Sequence, residues 1–308
     1  MRYVRCNYCG ADEPEPVNHG PDLYLGREGD FHLVRCRICS LIYQNPQPTE
    51  TELNAFYPTD AYELYARALN EESTIARFDL SRGLARRCTQ VMKRKQTPGH
   101  VLDIGCATGN FLRAMKDYGW SVTGVELNHE AASYARQVHS IEVLTGTVVG
   151  TQLPDNAYDV ITMWDVFEHV LDPRATLEKI SKVIKPGGLL VIGTPNPKSL
   201  EAKLFGRFWA GWDRPRHTYI YYPDVLRRYL EDYGYGGTQI VSFSGRLRVT
   251  LLSMQYLCID RMIEREKCLR FTRLAYNWPL RLITWPIYRL GEALNQTTNM
   301  CAFSFYHG

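Results

Sequence analysis

The sequence predicts an α/β fold: a mostly parallel sheet with helices on both faces, a small cysteine module ahead of it and a helical insertion before its last strand. Three observations carry that prediction. From 100 to 194, short runs rich in Val, Ile and Leu alternate with amphipathic stretches, as parallel strands joined by right-handed crossovers require. The first run, Val101-Leu102-Asp103-Ile104-Gly105-Cys106-Ala107-Thr108-Gly109-Asn110, is a buried strand ending in a carboxylate, then a glycine turn and a helix start. Two Cys-x-x-Cys pairs, Cys6/Cys9 and Cys36/Cys39, bracket a polar N-terminal stretch that closes on Asn45-Pro46-Gln47-Pro48.

Composition sets the outer limits. The 308 residues are 45% hydrophobic and 22% charged, which suits a packed core. A net charge of +3 gives no ground for a nucleic-acid binder. Met1–Gly10 lacks the apolar run of a secretory leader, and no stretch of about 18 apolar residues suggests a spanning helix. The expectation is a cytoplasmic protein whose cysteines are thiols or metal ligands.

Residues 1–48 are expected to form a separate zinc-binding module. Four thiolates on two knuckles suit a tetrahedral structural zinc with no open position for water. The competing reading is two unconnected pairs of free thiols. Cys88, Cys106, Cys258, Cys268 and Cys301 lack such spacing and read as buried or partly buried thiols.

Residues 49–96 read as a helical linker that opens on a capping box, Thr49 with Glu52. In the core, 97–244, the expected strands are Val101–Asp103, Ser121–Leu127, Ile141–Leu144, Asp159–Trp164, Leu189–Gly193 and Gln239–Phe243. The helices between them are Phe111–Tyr118, Glu130–Val138, Ala175–Ile184 and Asp224–Leu230, with Lys185-Pro186-Gly187-Gly188 stopping the third. Residues 245–296 read as basic amphipathic helices broken near Pro279 and Pro286, and 297–308 hold the last strand, Met300–Phe305.

Gly105 and Gly109 stand four apart, which is not the spacing of a dinucleotide fingerprint and disfavours a nicotinamide dehydrogenase. The second strand ends in Glu126, placed to accept both hydroxyls of a ribose. The alternative is that Asp103 and Glu126 merely cap helices. With Tyr158-Asp159-Val160-Ile161, Phe167-Glu168-His169-Val170, Asp172-Pro173, Lys185–Gly188 and Thr194-Pro195-Asn196, these segments resemble the class I S-adenosylmethionine (SAM) methyltransferases. The resemblance is strongest to the branch with ubiquinone-biosynthesis O-methyltransferases and many glycan methyltransferases, and covers roughly 50–244 and the last strand. It implies a Rossmann-like sheet, with Asp103 and Gly105 under the methionine end of SAM and Glu126 on its ribose. Cys106, Ala107, Gly109, Leu127, Thr147 and Asp165 complete the implied cofactor set. The family often has an acid after the third strand for adenine; Gly146-Thr147 stands there instead and can accept one hydrogen bond. Four-cysteine N-terminal modules also occur in sugar C-methyltransferases.

Two groups are candidates for the chemistry. Asp165, Glu168 and His169 follow the fourth strand and offer oxygen and nitrogen ligands for a divalent cation. Their structural reading is a helix cap beside the cofactor. Trp212-Asp213-Arg214-Pro215-Arg216-His217 lies among Phe205, Phe208, Trp209, Tyr219 and Tyr222, and its histidine can take a proton from a hydroxyl near neutral pH. The competing reading is an aromatic lid in which His217 makes a structural hydrogen bond. His217, His169 and Asp165 are therefore the catalytic candidates.

The expected function is methyl transfer from SAM to a small-molecule or glycan acceptor, on oxygen in the first instance. The alternatives are an RNA methyltransferase gripping its substrate through the zinc module, or an inactive SAM-fold scaffold. Arg2, Arg5, Arg27, Arg35 and Arg37 are interleaved with Asp12, Glu13, Glu15, Asp22, Glu28 and Asp30, so no basic stripe supports RNA. The insertion is read as a cap over the acceptor or a homodimer surface, with an in-plane contact at the inner face of a membrane as the other option.

Overall fold

The computed structural model describes residues 1–57, 74–244, 247–261 and 263–308, so part of the expected linker, 58–73, lies outside the described residues. The two cysteine knuckles fold alike. The Cys6 amide donates to the Ala11 carbonyl (3.0 Å) and the Gly10 amide to the Cys6 carbonyl (2.9 Å). The Cys36 amide and the Leu41 carbonyl, then the Ser40 amide and the Cys36 carbonyl, repeat both bonds at 2.9 Å. Gly10 and Ser40, at matching positions, both take positive φ. Strands β1 (Pro14–Gly20), β2 (Phe31–Cys36) and β3 (Ile42–Gln44) follow as an antiparallel meander.

Helix α1 (Glu50–Ala55) starts on the predicted capping box: the Thr49 amide donates to Glu52 (2.9 Å), and the Glu52 amide to the Thr49 hydroxyl (3.3 Å). Helix α2 (Thr74–Met92) buries Ile75, Cys88 and Val91. Then come β4 (His100–Ile104), α3 (Asn110–Asp117), β5 (Ser121–Glu126), α4 (His129–His139), β6 (Glu142–Thr145), β7 (Tyr158–Trp164), α5 (Pro173–Val183) and β8 (Ile184–Pro195). Lys185–Gly188 does end the preceding helix, but β8 already begins at Ile184. The four residues sit in a register break between Tyr158↔Ile184 and Val160↔Leu189.

Beyond β8 lie α6 (Leu200–Phe205), two 3-10 turns, β9 (Tyr219–Ile220), α7 (Pro223–Glu231) and β10 (Tyr235–Ser244). The insertion is α8 (Leu247–Asp260), α9 (Arg265–Ala275) and α10 (Trp278–Ala293), followed by β11 (Asn299–Tyr306). Pro279 starts α10, where its missing N–H costs nothing. Pro286 does not break the chain as expected; it lies inside α10, which continues through it.

The main sheet has the order β10-β11-β8-β7-β4-β5-β6. Strands β4 to β8 run parallel, and β11 is antiparallel to both its neighbours. Chain order reverses between β4 and β7, so a crevice opens beyond their carboxyl ends. The N-terminal meander is completed by a distant segment, β9, which pairs with β3 at Ile42↔Ile220 and Tyr43↔Tyr219. Cys36, Leu41 and Tyr43 also belong to the apolar cluster that contains Ile161, Phe167 and Tyr221. The 1–48 unit thus shares its sheet and its core with the rest of the chain.

Candidate active site at the carboxyl edge of the sheet

The glycine turn sits at the predicted strand end. Gly105 has φ +72°, and a Cβ there would come within 2.4 Å of Val166 Cγ2, so both backbone and space require glycine. Gly109 is equally constrained, at φ +77° with the Ala135 methyl 2.9 Å from a built Cβ. The amides of Gly105 and Cys106 donate to the Val125 carbonyl (2.7 and 3.2 Å), which ties the turn to β5. Glu126 clamps the turn further: its carboxylate accepts the Ala107 amide and the Asn128 amide, both at 2.8 Å. Leu127 beside it is exposed.

Asp103 is buried beneath the turn and accepts the Thr162 hydroxyl at 2.5 Å. Burial pushes its carboxyl up to about 7, against the opposing pull of Thr162 and Arg87. The Cys106 thiol turns into the core against Gly124 and Leu112, leaving only its backbone for a ligand. Thr147 is exposed after β6, and its hydroxyl accepts the Gly150 amide (3.1 Å).

Beyond β7 the geometry regroups the two sequence candidates. Asp165, at φ +60°, accepts Arg87 (2.9 Å) from α2 and the side-chain Nδ2 of Asn299 from the start of β11. The metal-ligating atoms that converge are instead those of Glu168, His169 and His217, all within 4.8 Å of one another. The converging set thus differs from the expected Asp165, Glu168 and His169: Arg87 and Asn299 bond Asp165, and His217 stands with Glu168 and His169.

Each histidine has a defined tautomer. Nδ1 of His217 lies 2.8 Å from the Gly211 carbonyl and Nδ1 of His169 lies 3.0 Å from the Arg216 carbonyl. A carbonyl only accepts, so both Nδ1 atoms carry the proton and both Nε2 atoms carry the lone pair. The rings meet edge to face, 4.6 Å between centroids. Burial drives His169 down to about 3, helped by the charge of His217, and lowers His217 as well. Burial first, then the Asp165 charge, raises the Glu168 carboxyl well above its usual range, and its Oε2 is buried without a partner.

Several residues of this site carry no local sequence signal. The Tyr57 hydroxyl reaches Nδ1 of His169 at 2.8 Å. Arg216 is gripped by Asp22 of the N-terminal meander through two 2.9 Å bonds, both side chains buried, and also by Asp213. Burial is opposed by Arg216 and His217 at Asp213, whose carboxyl ends up lowered. The Thr218 and Tyr219 amides donate to the Glu168 carbonyl (2.8 and 3.1 Å), while the Gln44 amide donates to the Thr218 carbonyl (2.9 Å). The backbone that follows His217 is therefore stitched to β7's exit loop on one side and to β3 on the other.

At the far end of the meander the four cysteine sulfurs converge. Sγ of Cys6 and Cys39 are 3.4 Å apart, and those of Cys9 and Cys36 are 3.5 Å apart. These are far beyond the roughly 2.05 Å of a disulfide and close to the edge of an S₄ tetrahedron around one ion.

A glycine turn and a strand-end carboxylate at the switch point, on a seven-stranded sheet with an antiparallel β11, define a methyltransferase-type fold. A methyltransferase-domain family model matches residues 76–240, and the chain belongs to that family. It is 34% identical over 116 residues to a ubiquinone biosynthesis O-methyltransferase of Aeromonas salmonicida, covering 34% of this chain and 48% of that protein. With the Azoarcus sp. protein of the same name it shares 31% over 161 residues, covering 47% and 66%. The chain thus spans between about half and two thirds of these curated relatives. Among solved structures, a putative sarcosine dimethylglycine methyltransferase from Galdieria sulphuraria aligns with TM-score 0.56 and 15% identity, over 80% of this chain and 99% of that one. A SAM-dependent methyltransferase from Archaeoglobus fulgidus gives 0.51 and 20%, over 79% and 99%. These likenesses place the fold.

Proposed function

We propose that the chain transfers the methyl group of SAM to an oxygen of a small-molecule or saccharide acceptor. The observation that carries this reading is the meeting, at one sheet edge, of the glycine turn and Glu126 with two neutral imidazoles, His217 buried and His169 half-buried. Asp103 and the backbone of Gly105, Cys106, Ala107 and Gly109 would line the methionine side. Glu126 would take the ribose, Leu127 the adenine face and Thr147 its edge, with Asp165 at the mouth. SAM, when bound, supplies an electrophilic methyl on a sulfonium.

His217 then serves as base. The Gly211 carbonyl holds its proton on Nδ1, so Nε2 is free to receive the acceptor's hydroxyl proton as the oxygen takes the methyl. A C–O bond forms, the C–S bond breaks with its electrons staying on sulfur, and the proton ends on the imidazole. Asp213, with its Oδ2 3.9 Å from Nε2, stabilises the imidazolium so formed. A His217→Gln variant is expected to keep its SAM affinity within about threefold and lose about 10²- to 10⁴-fold in kcat. Unchanged turnover would remove His217 from the mechanism, and no SAM binding by the wild type would favour an inactive scaffold.

A second reading has its own support. Glu168 Oε2 is an orphaned buried atom, and one ligand atom each of Glu168, His169 and His217 lie within 4.8 Å of one another, so the three fit a divalent cation. Such an ion would acidify the acceptor hydroxyl and occupy the His217 lone pair, so the two roles exclude each other. Turnover that survives exhaustive chelation supports the base; Mn²⁺ binding lost in Glu168→Gln supports the ion.

Cys6, Cys9, Cys36 and Cys39 fit a structural zinc, since four sulfurs converge on matched knuckles and three of them are buried. Elemental analysis is expected to find about one zinc per chain, and a metal-free preparation that keeps residues 1–48 folded would refute it. Residues 245–296 would supply a docking surface, toward a second copy of the chain or toward lipid.

A further inference from the structure

The insertion turns one face of α10 to solvent. Leu282 and Ile283 are 68% and 72% exposed, and Trp285, Ile287 and Leu290 are each more than half exposed; on α9, Leu274 is 69% exposed. The opposite face of α10 already has its partners. Arg281 pairs with Asp79 of α2, the Tyr288 hydroxyl meets Thr250 of α8, and Gly291 is buried near Thr297. The exposed apolar stripe is therefore not needed to hold the insertion to the core, and a stripe of this size in water calls for an occupant.

Charge decides which one. Residues 245–296 contain nine Lys and Arg against four Asp and Glu, a surplus larger than the +3 of the whole chain. Arg270 and Arg273 of α9 are exposed, next in sequence to the exposed Phe271 and Leu274, and make no ion pair among the described residues. A twofold dimer would lay this patch on its own copy and set like charges against each other. An anionic lipid surface neutralises them while taking the apolar side chains, and Trp285 suits the boundary. Among the described residues no helix is long and apolar enough to cross a membrane, so the contact is in-plane.

We propose that α9 and α10 dock the protein on an anionic lipid surface. The docked face adjoins the site: the Ala210 amide, just ahead of Trp212–His217, donates to the Ser253 hydroxyl of α8 (2.9 Å), and α2, beneath α10, carries the Arg87 that holds Asp165. Resting on the function proposed above, the acceptor is then an amphiphile presented from the lipid, its apolar part left in the bilayer and its hydroxyl brought to His217.

The test is flotation of the purified full chain with phosphatidylcholine vesicles, with and without phosphatidylglycerol. The expected result is capture by anionic vesicles, release as salt rises and little capture by neutral ones. Arg270→Glu/Arg273→Glu and, separately, Leu282→Ser/Ile283→Ser are each expected to weaken capture about tenfold or more. Both pairs are exposed, and an unchanged melting curve and SAM titration verify that the variants fold. Wild-type protein left unbound, or equal capture of wild type and both variants, overturns the proposal. A dimer in sedimentation that Leu282→Ser/Ile283→Ser dissociates, without vesicle capture, assigns the face to a second copy instead. SAM titration without vesicles separates the outcomes: lipid capture without SAM binding sinks the methyltransferase reading alone, and SAM binding without capture sinks the docking alone.

Discussion

Asp103 shows what a single buried acid does to this fold. Its carboxyl stands near 7 when folded, because it is desolvated under the glycine turn, against about 4 in an unfolded chain. The folded form therefore holds the proton more tightly, and the stability it contributes is present at low pH and lost as pH rises through about 7. Wild-type protein without ligand should lose stability between about pH 4 and pH 7 relative to Asp103→Asn, by up to a few kcal/mol. Urea midpoints of the two proteins across that range provide the measurement; parallel curves would show that the acid is not perturbed. Gly105→Ala tests the neighbouring position. With φ at +72° and Val166 in the way, it should lower SAM affinity by more than tenfold while the far cysteine module keeps its proposed zinc. Both residues were legible from sequence, since a strand, an acid and a glycine turn are contiguous. The roles of Tyr57 and Asn299 were not, because each reaches the site from another part of the chain.

At the level of elements, pattern and period were enough for every strand of the core, and the capping box at Thr49 located α1 to the residue. The exceptions have physical causes. Lys185–Gly188 reads as a turn, yet β8 absorbs it in a register break, since both flanking segments pair with β7. Pro286 reads as a helix breaker, yet α10 is packed on α2 and α8, and that tertiary support outweighs one lost hydrogen bond. The two-residue strand β9 had no periodicity to betray it; it exists because β3 and the Glu168 carbonyl both require its backbone. Arg216 is fixed by the same logic, its side chain bound by Asp22 and its carbonyl receiving the His169 proton. Asp22→Asn leaves a buried guanidinium half paired and should cost about 3–5 kcal/mol. The acceptor-side parameters should suffer with it, KM rising while SAM affinity is held. Chemical denaturation and steady-state kinetics read the two effects, and loss of SAM affinity in equal measure would show a global defect instead.

For the whole molecule, the meander with its four cysteines is joined to the segment proposed to meet the acceptor, through β3 on β9 and Asp22 on Arg216. The sequence suggests a separate unit because Pro46 and Pro48 punctuate it and the cysteines are self-contained. What binds it to the core is long-range: β3 on β9, Asp22 on Arg216, the Arg228 side chain on the Cys39 carbonyl (3.0 Å), and Tyr43 in the same apolar cluster as Phe167. None of these contacts is visible in a local window. The consequence, for the zinc and acceptor proposed above, is a coupling between the two. The sulfurs fix the knuckles, the knuckles fix β2 and β3, and β3 holds the Thr218 backbone next to His217. The glycine turn, Glu126 and Asp103 lie on β4 and β5, which exchange no strand pairing with the meander. Stripping the metal should therefore spare SAM binding to within a few-fold, abolish turnover, and open residues 1–48 together with 211–222 to protease. Calorimetric SAM titration and mass-mapped limited proteolysis of stripped and zinc-restored protein decide it. Cleavage confined to residues 1–48, with turnover intact, would show that the meander is an appendage after all.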